Sequence, residues 1–297
     1  MTRIIQDQAA GLRSLMAIHR SDAARVITVA GGKMRVGKTS VVINLAAALA
    51  KNGQRVLIID ENPCHNNICT NLGLKSRFDL LHVINRDKKL AQVILQGPEN
   101  VSVLSAMRGI HALTKLTASE QNWLIKSFEQ LMETVDIVLI DTAMGGTTHV
   151  LPLSLASEHV LIILSGSAAS LTGAYALIKI MNQEYAKQHF LVLVNKADSE
   201  SESRAIFGNL SQVTQKYLSV SLESIGYVQN DVKLHQATQL CRSVIDTFPT
   251  SKVALCFGQL AGRVLHSSHP DDFDGGVDNF MQRLIRTSHL SMANFTV

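Results

Sequence analysis

Eight residues near the start of the chain, Gly32-Lys33-Met34-Arg35-Val36-Gly37-Lys38-Thr39, have the types and spacing to hold phosphate. They satisfy G-x-x-x-x-G-K-[ST] and fall between an apolar run at 25–30 and an amphipathic stretch at 39–52. A loop in that setting turns successive backbone N–H groups onto phosphate oxygens, and the helix that follows adds the attraction of its N-terminus. Lys38 then supplies positive charge to the β- and γ-phosphates, and the Thr39 hydroxyl is placed to ligate Mg²⁺. About a hundred residues on, DIVLIDTAMGG (136–146) reads as a hydrophobic strand ending in Asp141, a carboxylate suited to the Mg²⁺ hydration shell. Gly145 and Gly146 would let the adjoining loop follow the γ-phosphate.

These groups need a scaffold that brings distant segments together, and the pattern of apolar runs supplies one. Runs at 25–30, 55–60, 101–104, 136–141, 159–165, 190–195 and 224–228 are too uniformly apolar to alternate, and helix-length amphipathic segments (39–52, 119–133, 170–187, 249–266) lie between them. That order predicts an α/β fold: a doubly wound, mostly parallel sheet flanked by helices. Aromatic residues are scarce, so the core must come from Val, Ile, Leu and Ala, as parallel sheets prefer. The polar, Gly- and Pro-bearing segment 266–276 reads as a linker. The predicted organisation is an arm over 1–20, a nucleotide-binding domain over 21–268, and a linker with a terminal helix over 269–297. A net charge of +4 permits contact with anionic surfaces but does not argue for nucleic acid. Cys64, Cys69, Cys241 and Cys256 have no zinc spacing and read as free thiols. With no bilayer-length apolar run and no secretory leader, the expected location is cytoplasmic.

The loop also resembles the deviant phosphate loop of the MinD/ParA ATPases, K-G-G-x-G-K-[ST]. That resemblance implies an ATP- and Mg²⁺-binding protein in which Lys33 reaches across a homodimer to the partner's ATP, with residues Gly32 to Ser40 around the phosphates. Met34 and Arg35 stand where that family has glycines, which could narrow the loop, although Arg35 could add a phosphate contact. RVLIIDEN (55–62) resembles the family's L-L-D-x-D strand. Asp60 matches its first aspartate, and Asn62 takes the position associated with the attacking water. An amide can orient water but cannot accept its proton, so slow hydrolysis is expected unless a neighbour such as Glu61 substitutes. By the same resemblance Asn195 reads the adenine edge and Asp231 borders it. The run NKAD (195–198) also fits the N-K-x-D of GTPases, with Asp198 reading guanine.

The two ends point to one branch, the MinD-like regulators of flagellar number and placement (FlhG/FleN). Asp7-Gln8-Ala9-Ala10-Gly11-Leu12-Arg13 matches its D-Q-A-x-x-L-R activator motif. That resemblance implies docking on an FlhF-type signal-recognition GTPase, with Gln8 helping to place its water and Leu12, Leu15 and Met16 making apolar contacts. Val277, Phe280, Met281, Leu284 and Ile285 recur at helical spacing, with Arg283 and Arg286 opposite. In that branch such a helix binds the inner leaflet reversibly, with Phe280, Met281, Leu284 and Ile285 toward lipid. The same stripe could instead cover the domain's own groove, or do both in different states. A flagellar C-ring protein or transcription regulator is a further expected partner. The competing readings are a nucleotide-binding scaffold without turnover and a ParA-like DNA-partition ATPase.

Overall fold

A computed structural model describes residues 24–62, 67–143, 147–267 and 277–293. The arm over 1–20, with Asp7, Gln8, Ala9, Leu12 and Arg13, lies outside the described residues, as do Gly145 and Gly146. Eight strands form one sheet in the order β3-β4-β2-β5-β1-β6-β7-β8. They are β1 Arg25–Ala30, β2 Val56–Asp60, β3 Leu95–Gln96, β4 Val101–Ser105, β5 Ile137–Asp141, β6 His159–Leu164, β7 His189–Ala197 and β8 Ser221–Gln229. Every pairing is parallel except that of β3 with β4. Among the described residues seven helices reach ten residues or more: α1 Lys38–Lys51, α2 Ala118–Met132, α3 Thr147–Ala156, α4 Ala168–Tyr185, α5 Glu200–Tyr217, α6 Lys252–His266 and α7 Val277–Ala293. No described helix is long and apolar enough to cross a membrane.

Strands buried on both faces explain the unbroken apolar runs. In β1, Ile27 and Val29 enter the core beneath α1 and α6, while Val26 and Ala30 face the helices on the other side. β5 divides likewise, with Ile137 and Leu139 on one face and Val138 and Ile140 on the other. Two features escape the run-by-run reading. β3 is two residues long, and β8 begins at Ser221, where an edge strand with exposed positions such as Glu223 has no need to be apolar.

The terminal helix alters the predicted organisation. α7 packs against α3 and α2 and reaches β1, so it is part of the domain core rather than an appendage. Phe280, Met281, Leu284 and Ile285, expected to face lipid, are each no more than 4% exposed and share a cluster with Leu124, Phe128, Val138 and Leu153. The Thr287 hydroxyl donates to the Pro152 carbonyl at 3.0 Å, fixing the helix to α3. The apolar stripe lies on a helix, and the surface it meets in this structure is protein. The reason is that the sheet face over β1 and β5 needs an apolar cover, and α7 supplies it.

Candidate functional site

β1, β2 and β5 are neighbours in register, with Val29 opposite Asp141 and Asp141 opposite Asp60. The phosphate loop and both acidic strand ends therefore emerge together at the carboxyl edge, where β1 separates two outward-winding halves of the sheet. Ligands of doubly wound sheets bind in such a crevice. Gly37, at φ 95°, begins α1 without a side-chain cap, and no acidic residue occupies the helix's first turn. The first N–H groups of α1 are thus left for an anion.

Two of the three residues expected at the metal, Thr39 and Asp141, are in contact. Thr39 Oγ1 donates to Asp141 Oδ2 at 2.7 Å, while Asp141 Oδ1 is buried without a hydrogen-bond partner. Burial, with Asp60 close by, pushes Asp141 up to about 7. A hydroxyl touching a carboxylate that retains a bare buried oxygen fits a hard divalent cation, so the donor set suits Mg²⁺. Lys38 is 4% exposed, and burial lowers its pKa against the opposing pull of Asp141 and Glu61. Its Nζ donates to the Ala143 carbonyl at 3.4 Å.

Asp60 and Asn62 are both held by hydrogen bonds within the chain. Asp60 Oδ2 accepts from Ile68 N at 2.8 Å and Oδ1 from Asn62 N at 3.0 Å, so this carboxylate anchors the chain that follows β2. The Asn62 amide donates to Asp60 Oδ1 at 3.2 Å and to Asp141 Oδ2 at 2.7 Å. It bridges two carboxylates that would otherwise repel; an aspartate at 62 would add a third negative group. Glu61 is the carboxyl turned into the site. It is 1% exposed, accepts from Ala143 N at 2.9 Å, keeps Oε1 unpartnered, and is pushed up to about 8 by burial.

Around the loop, Lys33 Nζ donates to Ser167 Oγ at 3.4 Å, so in the single chain the lysine expected to cross to a partner lies over its own α4. Met34 is 64% exposed. Asn195 Nδ2 donates to the Val36 carbonyl at 2.7 Å, and its Oδ1 accepts from Lys196 N at 3.0 Å. The amide expected to read adenine is therefore engaged with the loop backbone here. It still borders a cleft of about 140 Å³ that Gly37, Ser40, Asp231 and Phe257 also line. Asp231 caps the helix over 232–239 by accepting from Lys233 N at 2.8 Å. The cleft thus joins the expected base-side residues to the start of α1, while Asp198 is not among its lining residues.

One contact had no sequence signal. A Cβ on Gly173 of α4 would lie 2.1 Å from the Gly32 carbonyl, and one on Gly32 would lie 1.9 Å from the Gly173 carbonyl carbon. The loop and α4 touch backbone to backbone, which only a glycine pair allows. Gly173→Ala is expected to displace the loop and weaken binding of a fluorescent ATP analogue by roughly tenfold or more. The thermal melt should show that the domain still folds. Unchanged affinity would mean that the loop shifts without consequence.

The AAA domain family matches residues 24–192. The chain is 35% identical to the antiactivator FleN of Pseudomonas aeruginosa, across 88% of this chain and 94% of that protein. It is 24% identical to the flagellum site-determining protein YlxH of Helicobacter pylori, across 95% and 99%. Among solved structures it is similar to the septum site-determining protein MinD of Pyrococcus horikoshii in complex with Mg-ADP, with a TM-score of 0.61, 22% identity, and coverage of 81% of this chain and 96% of that one. Likeness that runs nearly the full length of both sequences, over a sheet wound in this order, places the chain by descent: it belongs to the MinD-like P-loop ATPases, in the branch that holds FleN and YlxH.

Proposed function

We propose that this chain is an ATP-controlled switch that limits the number and placement of flagella. The observation that carries the reading is the convergence of Lys38, Thr39, Glu61 and Asp141 at the adjoining carboxyl ends of β1, β2 and β5. Thr39 and Asp141, with Asp60 beside them, would hold Mg²⁺, which when bound offsets charge on the phosphates. The loop N–H groups and Lys38 orient the triphosphate. Glu61, protonated or not, is the carboxyl nearest the role that Asn62 cannot fill. In the ATP state two copies pair, with Lys33 leaving Ser167 for the partner's phosphates. The arm bearing Asp7, Gln8, Ala9, Leu12 and Arg13 engages an FlhF-type GTPase. α7 alternates between the groove described above and the inner face of the membrane, dimerisation doubling its copies there. A C-ring component or flagellar transcription regulator is the further target.

The test is single-turnover ATP hydrolysis, with protein in excess and lipid vesicles present. Product is expected to form slowly, and Lys38→Ala should reduce it by roughly a hundredfold or more. ATP retained without product would favour the second reading, a binding-only scaffold, for which Asn62 in place of a carboxylate is the specific support. No retained ATP would defeat both.

A further inference from the structure

The loop carries Met34 and Arg35 between its first lysine and Val36, and Arg35 stands in the left-handed region at φ 60°. Glycine occupies that region freely, whereas a side chain there is crowded by the backbone. The exposed Arg35 guanidinium has no hydrogen-bond or ion-pair partner among the described residues, so its own side chain does not hold it there.

The restraint comes from the end of β7. Lys196 Nζ donates to the Arg35 carbonyl at 2.9 Å, and Asn195 Nδ2 donates to the next carbonyl, Val36, at 2.7 Å. Lys196 is itself left-handed, at φ 62°. The turn after it is braced, since Gln229 Nε2 donates to the Asp198 carbonyl at 3.1 Å and Asp198 N donates to Glu202 Oε2 at 2.6 Å. A peptide unit is planar and trans, so its C=O and the following N–H point in opposite directions. Drawing the carbonyls of 35 and 36 toward β7 therefore turns the N–H groups of Val36 and Gly37 away from it, as a phosphate cradle requires.

We infer that Lys196 is a positioning residue: it holds Arg35 in a conformation that glycine would adopt unaided, and so keeps a glycine-poor loop competent for a nucleoside triphosphate. The inference rests on the nucleotide-binding reading above and adds a role for Lys196 that depends on Arg35.

The test is a double-mutant cycle on the full chain, reading the Kd of a fluorescent ATP analogue with Mg²⁺. Lys196→Ala is expected to weaken binding by roughly five- to thirtyfold, the range that the left-handed strain of one residue spans. In an Arg35→Gly background the same change should cost less than about twofold, because glycine carries no such strain. Lys196→Arg, which keeps a donor, should recover most of the loss. Both side chains are exposed, so melts of the nucleotide-free variants should coincide with that of the parent. An equal loss in both backgrounds would overturn the inference and make Lys196 a direct ligand contact. No loss in either would overturn it too. A parent chain that binds no analogue would defeat the nucleotide reading itself, and the inference with it.

Discussion

Asp141→Asn is expected to stop ATP turnover while making the nucleotide-free protein more stable. The two effects share a cause. Asp141 is fully buried, has Asp60 for a neighbour and is pushed up to about 7. A carboxyl with a raised folded-state pKa contributes stability that is fully present below its unfolded pKa and is lost as pH rises through the folded value. For Asp141 that loss runs from about pH 4 to about pH 7. Asparagine does not titrate there, and its oxygen can still accept from Thr39 and Asn62. Its nitrogen inherits the unpartnered position of Oδ1, which offsets part of the gain. The net advantage of the variant at pH 8 should be on the order of 1–3 kcal/mol and should shrink toward pH 4. Denaturant melts of the two nucleotide-free proteins across that range check the sign. Hydrolysis should fall by roughly a hundredfold or more, since neither Thr39 nor Asp60 replaces the missing charge. A variant no more stable than its parent at pH 8 would mean that the buried carboxyl is not under the strain described.

The second large effect concerns the terminal helix. Removing residues 269–297 is expected to yield an aggregating protein, not a soluble domain that merely lacks a membrane anchor. Phe280, Met281, Leu284 and Ile285 are buried against α2, α3 and the sheet. At about 1.5–3 kcal/mol for each fully buried side chain, the four together are comparable with the whole net stability of an ordinary domain. The uncovered patch on the sheet would also be large, apolar and contiguous. The soluble fraction on expression and the melting temperature of whatever remains soluble decide the matter. A truncated chain that is monodisperse and melts with the parent would show that α7 rests on the domain without completing it.

What the sequence made legible follows from the range of each signal. The loop at 32–39, the strand ending in Asp141 and the buried strands β1, β5 and β6 rest on local patterns, and β1 occupies the predicted residues. α7 was legible as a helix with one apolar face. Periodicity cannot say what that face meets, because Leu124, Phe128 and Leu153 come from elements remote in the chain. The Gly32–Gly173 contact is illegible for the same reason: each glycine makes sense only beside the other. Asn62 is the subtler case. Read against a family pattern it is a missing carboxylate, whereas its amide joins Asp60 to Asp141 across two strands. Met34 and Arg35 were visible as departures, but the hydrogen bond from Lys196 to the Arg35 carbonyl depends on a fold that brings the end of β7 to the loop.

α7 follows every other described element in chain order, and this has a consequence for synthesis. β1 is among the first described elements to leave the ribosome, yet part of the apolar cover for its side of the sheet comes from α7. Until α7 has been made, the face formed by Val26, Val138 and Ile140 lacks that cover. The nascent domain can assemble its sheet early but can seal it only once α7 has emerged, which leaves a long interval in which a chaperone, or another unfinished copy, finds the groove open.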